Sequence, residues 1–584
     1  MKKKTHALLI YPEVPKNTYW SFQYALNFVG KKSAMPPLGL ITLAAYFPDT
    51  YDLRLIDLNI QPLADKDLEW ADAVFISAMI VQQESFDRTV ARCNSFNKPV
   101  IAGGPYPTSS HETITGVDHF VLGEVEEIFE TFLADFEKGA AKSVYSADSK
   151  PSLSRARAPR FDLLDMEAYC SMAVQYSRGC PFSCEFCDIW SVYGNKPRLK
   201  TGEQMIAELS ALYRLGWRGP VFVVDDNFIG NKRMVKKALL PALIEWQQAR
   251  GYAFRFFTEA SINLADDADL MSAMRSAGFD EVFIGIETPS REALKETGKT
   301  QNLKSDMREA IRRIQRHGME VMAGFIIGFD SDTKDIAARQ VEFIQQTGIP
   351  QAMVGLLTAL PGTKLYRRLE REGRLLWASA GNNTHCRATN FQPKMGTETL
   401  LQNYTKVLST IYDRNMKNYF ARCSRLLDRI GQSALFSRDI SKKEIKVLLR
   451  SFLRQPFTAY GYQYVKFLLI NLLKHRDVFS EAVRFGIIAH HFHKITQEMV
   501  KVEKIAHYLD EIYSTAKERV MCCLESTHPS DPSRHRQMDE IFRQYRKILQ
   551  KTQVRINRIH ADFQKEILDK YNEITHKIHQ LASV

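Results

Sequence analysis

The segment Ser177-Arg-Gly-Cys-Pro-Phe-Ser-Cys-Glu-Phe-Cys-Asp188 places three cysteines, Cys180, Cys184 and Cys187, close together in the middle of the chain. Three thiolates can bind three irons of a four-iron cluster and leave the fourth iron open to another ligand. The C-x3-C-x2-C spacing lets one short loop wrap such a cluster, whereas a tetrahedral zinc site needs a fourth ligand at matching spacing, and none is obvious nearby. We therefore expect a [4Fe–4S] cluster here, with a zinc site or structural cysteines as the alternative.

The composition predicts a large soluble protein of three or more domains, with 584 residues of which 45% are hydrophobic. No run of 18 apolar residues occurs, so no transmembrane helix is expected, and the apolar stretch near the start is too short for a signal peptide. A reducing cytoplasm is the natural setting for an oxygen-sensitive cluster. The other cysteines suggest neither a second cluster nor a disulfide framework: Cys93, Cys170, Cys386, Cys423, Cys522 and Cys523.

Residues 1–150 alternate short apolar runs with segments that are mostly long enough for helices. This order predicts a parallel, doubly wound, Rossmann-like sheet whose ligands lie at the C-terminal ends of the strands. Glycines at these ends let a flat ligand approach the backbone, although a nucleotide-type site fits equally well and simple turn geometry also explains them. The runs are Ala7–Tyr11, Tyr51–Asp57, Ala73–Ser77, Pro99–Gly104 and His119–Gly123.

Residues 165–380 repeat strands and helices after the cysteine loop. Such repeats close into a full or partial (β/α) barrel, with the active groups at the C-terminal strand ends. Polar residues fall at these ends, as in Asp225-Asp226-Asn227 and Thr258-Glu259. The strands are expected at Val221–Asp225, Phe254–Thr258, Glu281–Glu287, Glu320–Gly328 and Ala352–Thr358.

Residues 385–525 change to helical periodicity and form a predicted α-helical domain. Two stretches, 445–453 and 464–473, are amphipathic with interspersed basic residues. We interpret them as a helical cap on the barrel; a lid over an apolar substrate or a membrane-surface face are the functional alternatives. His490 and His493 would share a helix face, but without a further ligand they are better explained as core or surface histidines.

The last segment, 534–584, is expected to form an amphipathic helix with apolar residues close to heptad spacing. It could form a homodimer or fold back on the helical region, and the sequence does not separate these alternatives. The net charge of +12 agrees with contact to anionic lipid or with a basic surface alone. Because no nucleic-acid-binding module is present, no nucleic acid is expected as a partner.

The cysteine loop resembles the signature of the radical S-adenosylmethionine (SAM) enzymes, and residues 165–380 resemble their six-unit partial barrel, (β/α)6. Pro36-Pro37-Leu38-Gly39-Leu40, Gly103-Gly104-Pro105 and Gly123-Glu-Val-Glu126 resemble the cobalamin-binding domain that precedes many such barrels. The Asp-x-His-x-x-Gly motif, which supplies a histidine to cobalt, is absent. The three-part order resembles the cobalamin-dependent radical SAM family with a helical C-terminal domain, which includes the hopanoid C-2 methylases.

This resemblance implies three cofactors: a [4Fe–4S] cluster held by Cys180, Cys184 and Cys187, SAM, and cobalamin. The implied contacts to SAM are Phe186, Asp225, Asp226, Asn227, Thr258, Glu259, Gly285, Ile286 and Glu287. The implied cobalamin-binding residues are Pro37, Asn59, Ser77, Met79, Gln82, Gly103, Gly104, Pro105, Gly123 and Glu124. Beyond the cluster ligands, the catalytic residues stay unknown at this point.

The resemblance further implies that an adenosyl radical abstracts hydrogen from an unactivated carbon and that methylcobalamin delivers a methyl group to it. A lipid-like or other small molecule is the expected substrate, and a ferredoxin or flavodoxin the expected reductant. Two alternatives remain: a cyclase, rearrangement or oxidation enzyme without methyl transfer, and a non-catalytic cobalamin- or cluster-binding protein. The expected location is the cytoplasm, with peripheral membrane contact as a further interpretation. The sequence does not name the substrate.

Overall fold

The computed structural model describes residues 4–147, 149–379, 381–385, 388–430, 442–528 and 531–581, so Cys386 lies outside the described residues. The chain divides into two compact units. The first comprises Met1–Thr384 and Ala388–His491, and the second comprises His385–Arg387 and Phe492–Val584. The domain limits expected from the sequence, at 150, 165, 380, 385, 525 and 534, remain predictions.

The first sheet contains six parallel strands in the order β2-β1-β3-β4-β5-β6. Alternate residues of β1 pack into different clusters, Leu8 and Ile10 into one and Ala7 and Leu9 into the other. Both faces are therefore buried under helices, which confirms the doubly wound arrangement. The strands are β1 (Thr5–Tyr11), β2 (Tyr51–Asp57), β3 (Ala73–Ser77), β4 (Val100–Gly103), β5 (His119–Leu122) and β6 (Val144–Ser146).

The second sheet has six parallel strands in the order β14-β13-β12-β11-β10-β7, without pairing between β14 and β7. This is the expected partial (β/α)6 barrel. A short antiparallel pair, β8 (Ser177–Arg178) and β9 (Arg198–Leu199), brackets the three cysteines. The barrel strands are β7 (Met172–Val174), β10 (Pro220–Val223), β11 (Arg255–Ala260), β12 (Phe279–Glu287), β13 (Glu320–Ile327) and β14 (Ala352–Leu356).

Helices surround both sheets and make up the C-terminal part of the described chain. Those of the first sheet are Gln23–Val29, Leu38–Ala44, Asp65–Trp70, Gln83–Ser95, Pro105–Ser110 and Phe129–Glu137. Those of the barrel are Ile189–Val192, Gly202–Arg214, Lys232–Met234, the π-helix Val235–Leu239, Leu240–Gln248, Ala268–Ala277, Arg291–Glu296, Met307–Arg316, Ile336–Thr347 and Lys364–Arg371. The C-terminal helices are Thr397–Ile411, Lys417–Ile430, Lys442–Arg454, Gly461–Lys474, Phe479–Ser526, Pro532–Ile556 and Gln564–Leu581.

The expected single C-terminal helix is two helices, Pro532–Ile556 and Gln564–Leu581, separated by a short 3-10 turn. Their apolar stripe is buried within the second unit; Ile556 and Ile567, for example, are fully buried. Lys570 also pairs with Asp510 at 2.7 Å. This burial favours the interpretation that the segment folds back over the interpretation that it dimerises.

Among the described residues, every helix is too short or too polar to span a bilayer. Within the first unit, His490 Nδ1 lies 2.7 Å from the Tyr460 hydroxyl, and the neighbouring His491 is buried with Nε2 3.2 Å from the Tyr19 carbonyl. Both histidines therefore take part in packing contacts between helical segments.

Candidate active site

The cysteine loop leaves β8 through Gly179, whose φ of +95° favours glycine. A Cβ atom on Gly179 would lie 2.8 Å from the Gly194 carbonyl oxygen, so the close approach of these two backbone segments also requires glycine. The Gly179 N–H donates to Asp226 Oδ2 at 3.1 Å. The loop is thereby fixed to the C-terminal end of β10.

Two side-chain amides are directed at cysteine sulfurs. Asn227 Nδ2 lies 3.9 Å from Cys180 Sγ, and Gln301 Nε2 lies 3.9 Å from Cys184 Sγ. N–H donors of this kind stabilise thiolates that bind iron. No three His, Cys, Asp or Glu side chains among the described residues are grouped closely enough to chelate one ion. A cubane cluster has a different requirement, because each cysteine binds a different iron, and the donor set of this loop fits such a cluster.

The acidic residues expected at the SAM site lie at the C-terminal ends of β10, β11 and β12, but they face different partners. Asp225 is fully buried and accepts hydrogen bonds from Tyr176 N (2.8 Å) and Ser177 Oγ (2.6 Å). Thr258 Oγ1 donates to the Val223 carbonyl at 2.8 Å. These two side chains therefore support the strands and the cysteine loop, and the SAM contacts expected for them stay a prediction.

Asp226 and Glu259 are half-buried and lie close to one another. Burial, with added repulsion from the carboxylates of Asp226, Asp225 and Glu287, raises the pKa of Glu259 to about 8. Burial also raises the pKa of Asp226 to about 7. The carboxylates of such a pocket stabilise a bound cationic ligand, because its positive charge offsets their mutual repulsion.

Glu287 adopts the left-handed region at φ +63° and forms an ion pair with the buried Lys299. A Cβ atom on Gly285 would lie 2.6 Å from Lys299 Nζ, so the glycine makes room for this pair. Lys299 Nζ also lies 5.9 Å from the centre of the Phe186 ring, which in turn is 6.0 Å from the Phe329 ring. The Glu287–Lys299 pair thus joins the end of β12 to the cysteine loop.

The segment Lys299-Thr-Gln-Asn302 was not identified from the sequence. Gln301 contacts Cys184, and Asn302 Nδ2 donates to the carbonyls of Gly285 and Ile286, each at 3.1 Å. The sequence shows a lysine and two amide residues directly after a short helix, which could indicate a polar site. Nothing in the sequence indicates that these side chains are buried. The assignment of SAM contacts to all these residues stays a prediction.

A pH-dependent affinity for SAM follows from the raised pKa of Glu259. SAM carries ammonium and sulfonium charges, which favour the ionised carboxylate, so binding releases a proton and the affinity rises with pH toward 8. The slope is at most about tenfold per pH unit for one proton. Calorimetric titrations of the reconstituted protein with SAM at several pH values measure this slope. Glu259→Gln should flatten the profile, whereas Glu203→Gln, an exposed control, should leave it unchanged; equal slopes in wild type and Glu259→Gln would contradict the assignment.

Several residues expected at the cobalamin site fix the loop that follows β1. Asn59 Nδ2 donates to the Pro12 carbonyl at 3.2 Å, and the buried Gln82 donates to the same oxygen at 2.5 Å. Asn59 Oδ1 also accepts from Val14 N at 2.8 Å. Met79 is 39% exposed and lies at the C-terminal side of β3.

The glycines at the ends of β4 and β5 have different surroundings. Gly104 has φ +88°, and a Cβ atom there would lie 2.5 Å from Ser77 Oγ; on Gly103 it would lie 2.8 Å from the Val121 carbonyl. These two glycines therefore allow close packing within the protein. Gly123, with φ +83°, has open space where a Cβ would stand. Pro37 is the N-cap residue of the helix Leu38–Ala44, and Pro105 is the first residue of the helix Pro105–Ser110.

Glu124 is nearly fully buried in a group of ion pairs. Its oxygens lie 2.8 Å from Arg178 Nη1 and 2.7 Å from Arg198 Nη2, and Arg178 Nη1 is also 2.8 Å from Glu126 Oε1. Because Arg178 directly precedes Gly179, this group joins the end of the first sheet to the cysteine loop. We name these four residues the Glu124 ion cluster. The cobalamin contact expected for Glu124 from the sequence stays a prediction.

Beneath the acidic residues, the inner face of the barrel is aromatic. Phe257 lies two residues before Glu259 on β11 and therefore shares its face, and Glu259 is in register with Phe283 on β12. The Phe257 ring stacks on Phe222 with a centroid distance of 4.6 Å, and Trp20 approaches Phe283 to 5.3 Å. Phe257 and Phe283 are partly exposed, so open space adjoins this aromatic layer.

An ion network closes the N-terminal end of the barrel below the aromatic layer. Arg484, from the helix Phe479–Ser526, pairs with Glu320, with Glu281 at 3.2 Å and with Glu481 at 2.6 Å. Arg255 lies 2.9 Å from Glu481. Burial alone would raise the pKa of Glu481, but these arginines hold this pKa at about 2. The barrel interior is thus ionic at the base, aromatic in the middle and acidic beside the cysteines.

A partial barrel with this cysteine loop, joined to a doubly wound sheet, defines a radical SAM enzyme with a cobalamin-type domain. Family models agree: residues 31–133 match the B12 binding domain, residues 174–344 the Radical SAM superfamily and residues 363–504 the Domain of unknown function (DUF4070). A cobalamin-dependent SAM radical enzyme, OxsB, solved with aqua-cobalamin and SAM, superimposes with a TM-score of 0.54 at 15% identity over 92% of this chain and 84% of that chain. This likeness supports the fold.

Two relatives are closer in sequence. An uncharacterized methyltransferase of Synechocystis sp. is 43% identical over 73% of this chain and 79% of that protein. The hopanoid C-2 methylase of Rhodopseudomonas palustris is 37% identical over 63% of this chain and 71% of that protein. The chain belongs to the family of cobalamin-dependent radical SAM methyltransferases. Its cofactors are a [4Fe–4S] cluster, SAM and cobalamin, and enzymes of this family act on small molecules and require a reductant.

Proposed function

We propose that this enzyme transfers a methyl group to an unactivated carbon of an apolar, lipid-like small molecule. The observation that carries the proposal is the partly exposed aromatic layer of Phe257, Phe283 and Trp20, directly below the acidic strand ends. Aromatic walls beside a cofactor site bind apolar ligands and offer few hydrogen bonds to polar ones. Among the substrates open to a radical methyltransferase, this lining favours a hydrocarbon-rich one.

In this proposal the chain's own residues bind and orient the reactants. Cys180, Cys184 and Cys187 hold the cluster, while Asp226 and Glu259 attract the positive charges of SAM. The aromatic layer holds the substrate carbon and excludes water. When bound, the three cofactors together supply hydrogen abstraction and the methyl group; the protein contributes position, desolvation and charge.

Hopanoids are the first substrates to test, because hopanoid C-2 methylase is 37% identical to this chain. An apolar substrate of this kind partitions into membranes, so we propose that the enzyme contacts the membrane surface. We propose the cytoplasm as its location, because an oxygen-sensitive cluster requires a reducing compartment. We propose a ferredoxin or flavodoxin as the electron donor. A homodimer through the C-terminal helices is less favoured, since their apolar stripe is buried within the chain.

The proposal predicts that the reconstituted enzyme transfers a deuterated methyl group from SAM to a hopanoid. The protein would be incubated anaerobically with cobalamin, a low-potential reductant and SAM labelled in its methyl group. Mass spectrometry would quantify 5′-deoxyadenosine, S-adenosylhomocysteine and label in the lipid and in cobalamin. A free amino acid offered in place of the lipid is the polar comparison and should remain unlabelled.

Labelled lipid with both nucleoside products would support the proposal. Formation of 5′-deoxyadenosine without label on cobalamin or lipid would overturn it in favour of a cyclase, rearrangement or oxidation enzyme. Label transferred to the amino acid but not to the lipid would reject the apolar substrate while retaining methyl transfer.

A further inference from the structure

Exposed apolar side chains are concentrated on two consecutive helices, Lys442–Arg454 and Gly461–Lys474, with the turn between them; we name this segment the apolar hairpin. Nine of the eighteen exposed large hydrophobic residues of the described chain lie here, between Leu449 and Leu473. Phe457 is 87% exposed and Leu473 74% exposed. So dense a group on a water-facing surface marks an interaction site.

The exposed residues are arranged as helix faces. Leu449, Phe452 and Leu453 follow the i, i+3, i+4 spacing on the first helix, and Leu469, Leu472 and Leu473 repeat it on the second. Residues at this spacing lie on one side of a helix. Each helix therefore presents a continuous apolar stripe outward.

The inner side of the hairpin is fixed by buried polar contacts, so the outer stripes cannot turn inward. Ser451 Oγ lies 2.6 Å from the Tyr464 hydroxyl and accepts from Gln455 Nε2 at 2.7 Å. The Tyr460 hydroxyl lies 3.1 Å from Gln455 Oε1. All four residues are fully buried, and rotating either helix would leave these groups without partners.

Apart from Glu444 near its beginning, the apolar hairpin carries charges of one sign. No aspartate or glutamate occurs between Ile445 and Arg476. Every lysine and arginine from Ile445 to Arg476 is exposed: Lys446, Arg450, Arg454, Lys466, Lys474 and Arg476. Apolar stripes flanked by cations match the acyl chains and anionic headgroups of a bilayer surface. With 13 and 14 residues, the helices are too short to cross a bilayer and suit the interface.

We propose that the apolar hairpin docks on the surface of an anionic lipid bilayer, with Phe457 and Leu473 inserted among the acyl chains. This inference rests on the proposed function, since a bilayer is where an apolar substrate resides, and it names the surface that makes the contact. The exposed lysines bind the headgroups, and the apolar stripes supply the larger share of the affinity.

Vesicle flotation of the full reconstituted chain tests this. We expect the wild type to bind vesicles of phosphatidylcholine mixed with phosphatidylglycerol, and to bind phosphatidylcholine alone more weakly. The double variant Phe457→Ser, Leu473→Ser should lower partitioning at least about tenfold, because each side chain loses its burial in lipid. The control Met521→Ser, Val554→Ser changes two exposed apolar residues of the other unit and should bind as wild type does.

A further pair, Lys466→Gln with Lys474→Gln, should lower binding to the anionic vesicles while leaving binding to phosphatidylcholine unchanged. Equal partitioning of wild type and the serine variant would overturn the proposal. So would a wild-type dimer in light scattering that the serine variant converts to a monomer, because the hairpin would then bind a second copy. Since the readout is lipid binding, it is independent of whether methyl transfer is observed.

Discussion

Replacing Cys184 by alanine is expected to abolish the formation of 5′-deoxyadenosine from SAM. Cys184 is buried and is the middle of the three cysteines in the loop. Its Sγ lies 3.9 Å from Gln301 Nε2. Without it one iron lacks its protein ligand, and the cluster is lost or incompletely formed. Iron and sulfide analysis after anaerobic reconstitution, followed by mass spectrometry of the nucleoside, measures both effects.

Cys170→Ala is the matched control. Cys170 is exposed, its backbone N–H donates to the Ser33 carbonyl at 2.9 Å, and alanine keeps that bond. This variant should retain the wild-type iron content and nucleoside formation. Wild-type activity in Cys184→Ala would refute the assignment of the cluster to this loop.

Removing Arg178 is expected to cause the largest loss of stability among the variants considered. In Arg178→Met, Glu124 keeps only Arg198 from the Glu124 ion cluster, and Glu126 loses the guanidinium 2.8 Å away while remaining buried. Breaking a buried ion pair from one side costs about 3–5 kcal/mol, because the remaining charge has no compensation. Pulse proteolysis across a urea series measures the free energy of the first opening transition, which suits a chain that need not unfold in one step.

Arg160→Met provides the comparison. Arg160 pairs with Asp162 at 2.7 Å, but both side chains are more than 40% exposed. A surface pair of this kind contributes at most about 1 kcal/mol. If Arg178→Met were no more destabilising than Arg160→Met, the Glu124 ion cluster would not join the first sheet to the cysteine loop.

The strands could be predicted because they are short apolar runs, as expected for parallel strands buried on both faces, and most end in polar or glycine residues. Tyr51–Asp57 and Ala73–Ser77 coincide with β2 and β3 residue for residue. β6 and β7 were missed because each has only three residues, too few for a pattern to emerge. The break between the last two helices was missed because the apolar spacing continues through Ile559 and Phe563.

The location of the site could be predicted, but the partners of its side chains could not. Parallel strands bring their C-terminal ends to one edge, which places Asp226 and Glu259 together. The partner of Asp225 lies 48 residues away at Ser177, and the Arg198 partner of Glu124 lies 74 residues away. Only the folded backbone decides whether such a carboxylate faces a ligand or another side chain.

The sequence also does not predict the burial of Lys299, Gln301 and Asn302. Lysine and amides are usually solvent-exposed, so a polar run after a helix is read as a loop. Lys299 is 8% exposed and Asn302 1% exposed, because the chain returns across the ends of the strands. Burial of this kind depends on tertiary contacts and leaves no mark in the local sequence.

The aromatic layer also bears on how the enzyme would turn over. A methylated product is more apolar than its substrate by one carbon, worth about 0.8 kcal/mol in a fully apolar site, so it would be held roughly fourfold more tightly. Water alone would be a poor acceptor for such a product, and the catalytic cycle would slow at release. A bilayer in contact with the enzyme would take up the released product and so allow the next catalytic cycle to begin.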